Sequence, residues 1–164
     1  MSALIDNLNA VRAQISAAAA AAGRNPEDVF LLAVSKTFPA ADIAEAYRDG
    51  GQRAFGENWV QELEEKAPQL PEDIQWHLIG HLQRNEVRSA VKYASWIHSV
   101  DSPALLHRIQ AIAAETGKSP KVLLEVNISG EESKFGFTAE AAAETLTSLK
   151  GEMAAPVVGF MTMA

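Results

Sequence analysis

A lysine ends one of the apolar segments of the chain. The run Val29–Lys36 is apolar until it finishes in Ser35 and Lys36, and such a run is typical of a strand buried on both faces. In a dry pocket at a strand end, desolvation would free the amine of this lysine as a nucleophile. Alternatively, the lysine stem follows the apolar strand and the ammonium group extends into water. The residues alone leave both interpretations open.

Other polar residues lie at the ends of further apolar segments. Glu57 and Asp101 are candidate general acid–base groups, and helix capping or ion pairing is the alternative for both. His77 and His81 are four residues apart, but Gly80 and the strand pattern break the helical spacing that a two-histidine metal site needs. We therefore expect no metal there. His98 and His107 are expected to be ordinary core or surface residues.

The segments that must position these residues alternate between strand and helix. Helical patterns precede the first strand and follow each of the first five strands. The predicted strands are Val29–Lys36, Arg53–Asn58, Gln75–Gly80, Trp96–Val100, Lys121–Ile128 and Pro156–Met163. This alternation predicts an α/β fold with a parallel sheet and external helices.

Two α/β architectures fit this alternation. An open, doubly wound sheet would favour a glycine-rich turn after the first strand, but that turn holds Lys36–Pro39. A TIM-type (β/α)8 barrel needs eight strands and typically about 250 residues. Since six strands are predicted in 164 residues, we expect one barrel domain, residues 1–164, that is truncated after strand six.

Composition excludes several classes of function. The 14 Lys and Arg residues against 21 Asp and Glu give a net charge of −7, which disfavours a nucleic-acid partner. The absence of Cys excludes disulfide scaffolds and thiol nucleophiles. Because no apolar stretch reaches about 18 residues and no targeting segment is visible, we expect a cytoplasmic protein without a membrane partner.

Five motifs occur in order along the chain. They are LLAVSKT (Leu31–Thr37), FGENWVQE (Phe55–Glu62), WHLIGHLQRN (Trp76–Asn85), SKFGF (Ser133–Phe137) and GFMTMA (Gly159–Ala164). Together they resemble the pyridoxal phosphate homeostasis proteins, which are single-domain barrels that bind pyridoxal 5'-phosphate (PLP). These barrels are similar to the amino-terminal domain of alanine racemase.

The resemblance implies roles for four residues. Lys36 matches the lysine that forms the Schiff base (internal aldimine) with PLP, and Asn58, His77 and Met161 match positions that line the cofactor pocket. The family continues with a Ser-rich SxGMS motif and an Arg-Ile-Gly motif, which by resemblance bind the phosphate and approach the pyridine nitrogen. Neither motif occurs in this sequence, so we expect the attachment point without the phosphate cradle.

Three functions remain to be weighed. The resemblance implies a carrier that acts in intracellular PLP homeostasis, with PLP-dependent apoenzymes as recipients. A racemase-like enzyme is the alternative, but two-base racemisation needs a second acid–base group on the opposite cofactor face. In alanine racemases this is a tyrosine from a separate β domain, whereas Tyr47 and Tyr93 are predicted on or near helices here. The third function is a nucleotide- or sugar-phosphate-binding domain without PLP.

Overall fold

A computed structural model of the chain describes residues 2–131 and 135–163. The helices are α1 (Ala3–Ala21), α2 (Ala40–Arg48), α3 (Val60–Lys66), α4 (Val87–Tyr93), α5 (Pro103–Thr116) and α6 (Ala139–Ser148). The strands are β1 (Ala33–Val34), β2 (Ala54–Glu57), β3 (Gln75–Leu78), β4 (Trp96–Val100), β5 (Lys121–Glu125) and β6 (Val157–Met161). Two short 3₁₀ turns, Pro26–Asp28 and Ala67–Gln69, complete the described elements.

The six strands form one parallel sheet whose order follows the chain, β1-β2-β3-β4-β5-β6. Each strand pairs with the next in sequence, from Ala33 with Phe55 at one edge to Glu125 with Met161 at the other. A helix connects each pair of neighbouring strands, as parallel pairing requires. This arrangement confirms the predicted α/β fold of TIM-barrel type with six strands.

Local signals set the ends of several helices where the sequence predicts them. The Ser102 hydroxyl accepts a hydrogen bond from the Leu105 amide, and Pro103 occupies the first helical position of α5. Gly117 ends the same helix at φ 66°, in the left-handed region that favours glycine. These residues act through their own backbone neighbours, so their effect could be inferred from sequence.

The main core lies between the sheet and the helices. Apolar side chains from both layers pack there with almost no exposed surface, among them Phe55, Leu63, Trp76, Leu78, Val87, Ile97, Leu106, Ile109, Val122 and Leu124. Burial of this apolar surface is the main force that holds the helices on one face of the sheet.

The prediction that Val29–Lys36 is a strand buried on both faces is wrong. In β1, Val34 is 47 % exposed, and the ladder holds only two of the eight residues predicted for that strand. In β6, Val158 and Phe160 are also exposed. Both strands lie at edges of the described sheet, where a strand has one hydrogen-bonded neighbour and less cover for its side chains.

Some of the motif residues lie outside the described part of the chain. These are Ser133 and Lys134 at the start of the SKFGF motif and Ala164 at the end of GFMTMA. None of the helices described is both long enough and apolar enough to cross a bilayer.

Candidate functional site

The sheet has a helix-covered face and an opposite face, which we call the inner face. Phe55 and Trp76 are register partners that pack in the helix-covered core. Side chains alternate along a strand, so Gly56 and His77, the next pair, lie on the inner face. A Cβ atom built on Gly56 would lie 3.4 Å from side-chain atoms of Leu32 and Ile79, two other inner-face residues.

The predicted site residues lie on this inner face or at the carboxyl ends of its strands. Val34 pairs with Gly56, and Lys36 and Asn58 each follow two residues later at the carboxyl edge of the sheet. Met161 pairs with Glu125 at the other end of the same sheet. In parallel α/β folds, functional groups gather at this edge. The structure therefore brings His77 and Met161 to the inner face, and Lys36 and Asn58 to the ends of the neighbouring strands β1 and β2, while the roles of all four in binding stay predictions.

His77 is the most enclosed of these four residues, with 3 % of its surface exposed. Its ring stacks on Trp96 at a centroid distance of 5.3 Å and on Phe30 at 5.8 Å. Its Nδ1 lies 2.8 Å from Nε2 of His98, and its own Nε2 has no hydrogen-bond partner among the described residues. Burial, with a smaller contribution from His98, lowers the pKa of His77 to about 4. The imidazole is therefore neutral at physiological pH.

His98 is a site residue that the sequence reasoning missed. It was expected to be an ordinary core or surface residue, yet it contacts His77 on the inner face, and burial lowers its pKa. Part of this placement could be inferred from the sequence. His98 is two residues from Trp96 in the same predicted strand, so the two side chains had to share a face.

Asn58 is held by a close approach of two backbone segments. A Cβ atom on Gly80 would lie 2.1 Å from the Asn58 carbonyl oxygen, far inside van der Waals contact. The Ile79 amide also donates to the Glu57 carbonyl at 2.9 Å. Because position 80 is glycine, the segment after β3 can pack directly against the backbone of Asn58. This contact holds the bend in which Asn58 lies.

Lys36 occupies a tight turn and is exposed. The Phe38 amide donates to the Ser35 carbonyl at 3.1 Å, so that Lys36 and Thr37 are the two central residues. Thr37 has φ 67°, the positive value that the third position of a type II turn requires and that favours glycine. The exposure of Lys36 agrees with the interpretation in which its ammonium group extends into water.

Glu57 faces the helices rather than the inner face. It is fully buried, and its Oε1 accepts hydrogen bonds from the Ser35 hydroxyl at 2.7 Å and from Lys66 Nζ at 2.9 Å. Burial raises the pKa of Glu57, and the hydrogen bonds from Lys66 and Ser35 oppose this shift. The ion-pairing alternative thus describes Glu57 better than an acid–base role at the inner face. Lys66 lies in a helix whose polar pattern gave no sign of its burial.

A further titratable cluster lies where β3, β4 and β5 end. His81 Nδ1 is 3.5 Å from Asp101 Oδ2, and the His81 ring stacks on Phe135 at 4.0 Å. Glu125 is buried beside them, and burial raises its pKa, with the Asp101 charge as the second cause. Within residues 2–131 and 135–163, no group of three or more His, Cys, Asp or Glu side chains is arranged to hold a metal ion.

Known proteins resemble this chain over most of its length. The family model of the alanine racemase amino-terminal domain matches residues 7–164. The pyridoxal phosphate homeostasis protein of Escherichia coli (strain K12) is 42 % identical over 168 residues, which cover 95 % of this chain and 71 % of that protein. The homologue with the same name from Pseudomonas aeruginosa is also 42 % identical, over 166 residues.

Solved structures give the same result. PipY of Synechococcus elongatus with PLP bound superposes with a TM-score of 0.75 at 41 % identity, covering 92 % of this chain and 70 % of PipY. An alanine racemase of Clostridium difficile, at 18 % identity and a TM-score of 0.71, shares the fold. With the order of strands and the inner-face residues described above, these likenesses show that the chain belongs to the pyridoxal phosphate homeostasis protein family, within the alanine racemase amino-terminal domain fold.

Proposed function

We propose that this chain holds PLP through a Schiff base on Lys36 and acts as a carrier in intracellular PLP homeostasis. Two likenesses support the proposal. Relatives of 42 % identity are pyridoxal phosphate homeostasis proteins, and the PipY structure of 41 % identity contains bound PLP. The bound cofactor supplies an aldehyde that condenses with a lysine amine and releases water.

The position of Lys36 is the observation that carries the proposal. Among the described lysines, Lys36 alone follows the carboxyl end of a strand on the inner face, next to Asn58. Lys66 lies nearby but is buried on the helix side, where Nζ donates to two carboxylates and to a carbonyl. Lys121 is the first residue of β5, so it lies where the strands begin, at the end of the sheet away from Lys36. Because the Lys36 amine is exposed at the carboxyl ends of the strands, it can reach an aldehyde that is bound there.

The other predicted residues suit a polar aromatic ligand. Neutral His77 keeps a buried Nε2 without a partner among the described residues, a group that a ligand could satisfy. Trp96 and Phe30 give the same region flat apolar surfaces. We assign Asn58 to a polar contact with the ligand and Met161 to an apolar one, as their side chains permit.

The carrier role is preferred to racemisation because of the two tyrosines. The Tyr47 hydroxyl donates to Asp73 at 2.6 Å on the helix layer, and the Tyr93 ring lies under Lys92 at the end of α4. Neither tyrosine is on the inner face. Neither tyrosine can therefore serve as the second acid–base group, which would have to act on the face of the cofactor opposite Lys36.

Covalent trapping tests the proposal. PLP is added to the chain, the Schiff base is reduced with borohydride, and the labelled peptide is identified by mass spectrometry. We expect the label on Lys36 and its loss in Lys36→Ala. The matched control is Lys118→Ala, which removes an exposed lysine between α5 and β5. Full labelling of Lys36→Ala would overturn the assignment.

Delivery to apoenzymes is tested separately. The loaded chain is mixed with a PLP-dependent apoenzyme in the presence of a trap for free PLP, and recovery of the apoenzyme's activity is followed. Activation that persists despite the trap supports direct transfer. Activation that the trap abolishes would show release into solution instead.

A further inference from the structure

A buried group of charges lies behind the turn that carries Lys36, and the proposed function gives it no role. It consists of Glu57, Glu62 and Lys66, and we call it the Lys36 clamp. Lys66 is 6 % exposed, and its Nζ lies 2.9 Å from Glu57 Oε1 and 2.5 Å from Glu62 Oε2. Charged side chains are seldom buried this far without a structural or functional reason.

The clamp contacts the backbone on both sides of Lys36. On one side, Lys66 Nζ donates to the Ser35 carbonyl at 3.0 Å. On the other, the Thr37 amide donates to Glu62 Oε2 at 2.9 Å. The residues before and after Lys36 are therefore both tied to α3, whereas the Lys36 side chain itself is left exposed.

The same contacts fix the direction of the turn. The Ser35 side chain is held on the helix side by its bond to Glu57, and Lys36 follows it directly as the first central residue of the turn. Thr37 has φ 67°, which β-branched residues rarely adopt, and its amide is the group that Glu62 holds. A conformation of this kind persists where surrounding contacts enforce it.

We propose that Glu62 and Lys66 are positioning residues for Lys36: they hold its turn in the one conformation that presents the amine to the inner face for Schiff-base formation. This inference rests on the proposed function. Glu57 completes the clamp by neutralising Lys66 on its buried side. Lys66 and Glu62 contact the backbone of Ser35 and Thr37, so they would act on Lys36 through the backbone of the turn.

Glu62→Ala is the deciding variant because it removes the acceptor for Thr37 and one partner of Lys66. The matched control is Glu65→Ala, an exposed carboxylate on the same helix. Two readouts are needed: hydrogen exchange of the segment 35–38 without PLP, and the apparent dissociation constant for PLP from the absorbance of the Schiff base. Thermal melting shows whether each variant is folded.

We expect Glu62→Ala to exchange faster at 35–38 and to bind PLP about tenfold more weakly, the effect of losing one hydrogen bond to a charged group. Glu65→Ala should change neither quantity. Glu62→Gln keeps an oxygen for the Thr37 amide, so it should recover slow exchange and most of the affinity. If Glu62→Ala proves unfolded, Lys66→Met decides, because it removes the donor to the Ser35 carbonyl. Exchange at 35–38 and an affinity for PLP equal to those of Glu65→Ala in that variant would overturn the proposal.

The outcomes separate this inference from the proposed function. If Lys36 carries the label in the unsubstituted chain and Glu62→Ala matches Glu65→Ala in both readouts, the clamp is overturned alone. If the label lies on another lysine, the results overturn both the proposed Schiff base on Lys36 and the proposal that the Lys36 clamp positions this residue. Faster exchange with weaker binding in Glu62→Ala, reversed in Glu62→Gln, supports both.

Discussion

Nδ1 of His77 lies 2.8 Å from Nε2 of His98, so the two imidazoles share a hydrogen bond on the inner face of the sheet. One nitrogen must donate and the other accept, which requires at least one of the rings to be neutral. Burial lowers the pKa of both residues. The pair is thus stable in the neutral state, and protonation of both rings would place two like charges in contact.

The histidine pair predicts a loss of stability in acid. The pKa of His77 is about 4 in the folded chain and about 6.5 in an unfolded one, so the unfolded state binds the extra proton between these values. The free energy of unfolding should be highest above about pH 6.5 and fall by up to about 3 kcal/mol towards pH 4. Urea denaturation across this range measures it.

Two variants show whether His77 is responsible. His77→Phe should reduce the pH dependence, since it removes one of the two histidines whose pKa is lowered on folding. His107→Gln, which removes an exposed histidine on α5, should leave the slope as it was. An unchanged slope in His77→Phe would refute this explanation.

Gly80→Ala should destabilise the fold because of the contact with Asn58. The new Cβ would lie 2.1 Å from the Asn58 carbonyl oxygen, and overpacking of this kind typically costs about 1–3 kcal/mol. We expect the variant to melt at a lower temperature and to bind PLP more weakly. Gly159→Ala is the control, since its Cβ would lie an ordinary 3.4 Å from Leu123.

The 164-residue chain is expected to self-associate. β1 and β6 are the edges of the described sheet, and Val158 and Phe160 of β6 are exposed. Exposed apolar strands at an edge favour pairing between molecules. Size-exclusion chromatography should show oligomers with less than stoichiometric PLP, and Phe160→Lys should shift them towards monomer. A monodisperse monomer with stoichiometric PLP would contradict this expectation.

Racemisation of L-alanine by the chain with PLP should be no faster than by free PLP. The physical reason is that a proton must be removed on one face of the cofactor and returned on the other, and neither tyrosine lies where it could do so. A chiral assay with equal PLP concentrations measures the rate. Catalysis that depends on the chain and disappears in Lys36→Ala would favour the racemase alternative instead.

Features that depend on neighbouring residues could be predicted from the sequence. The cap at Ser102, the stop at Gly117 and the six strand positions follow from local patterns, and the structure has them. The strand ends also predicted that Lys36 and Asn58 lie at one edge. That prediction needed only the rule that parallel strands end together.

Features that depend on packing between distant segments could not be predicted in this way. The polar helix α3 gave no indication that Lys66 would be buried against Glu57, because an (i, i+4) Glu–Lys pair is usually a surface feature. The contact of His98 with His77 depends on the register of β3 against β4. The short ladder of β1 likewise reflects its place at an edge, which its apolar sequence does not encode.

The order of the strands has a consequence for how the chain acquires its structure. Every ladder joins strands that are consecutive in sequence, so each new strand can dock on an edge that is already formed while the chain leaves the ribosome. Among the described strands, none has to wait for one that is distant in sequence. The loop closed at each addition is that of a single strand–helix unit, which limits its entropic cost. A sheet of this kind can grow vectorially, one strand and helix at a time.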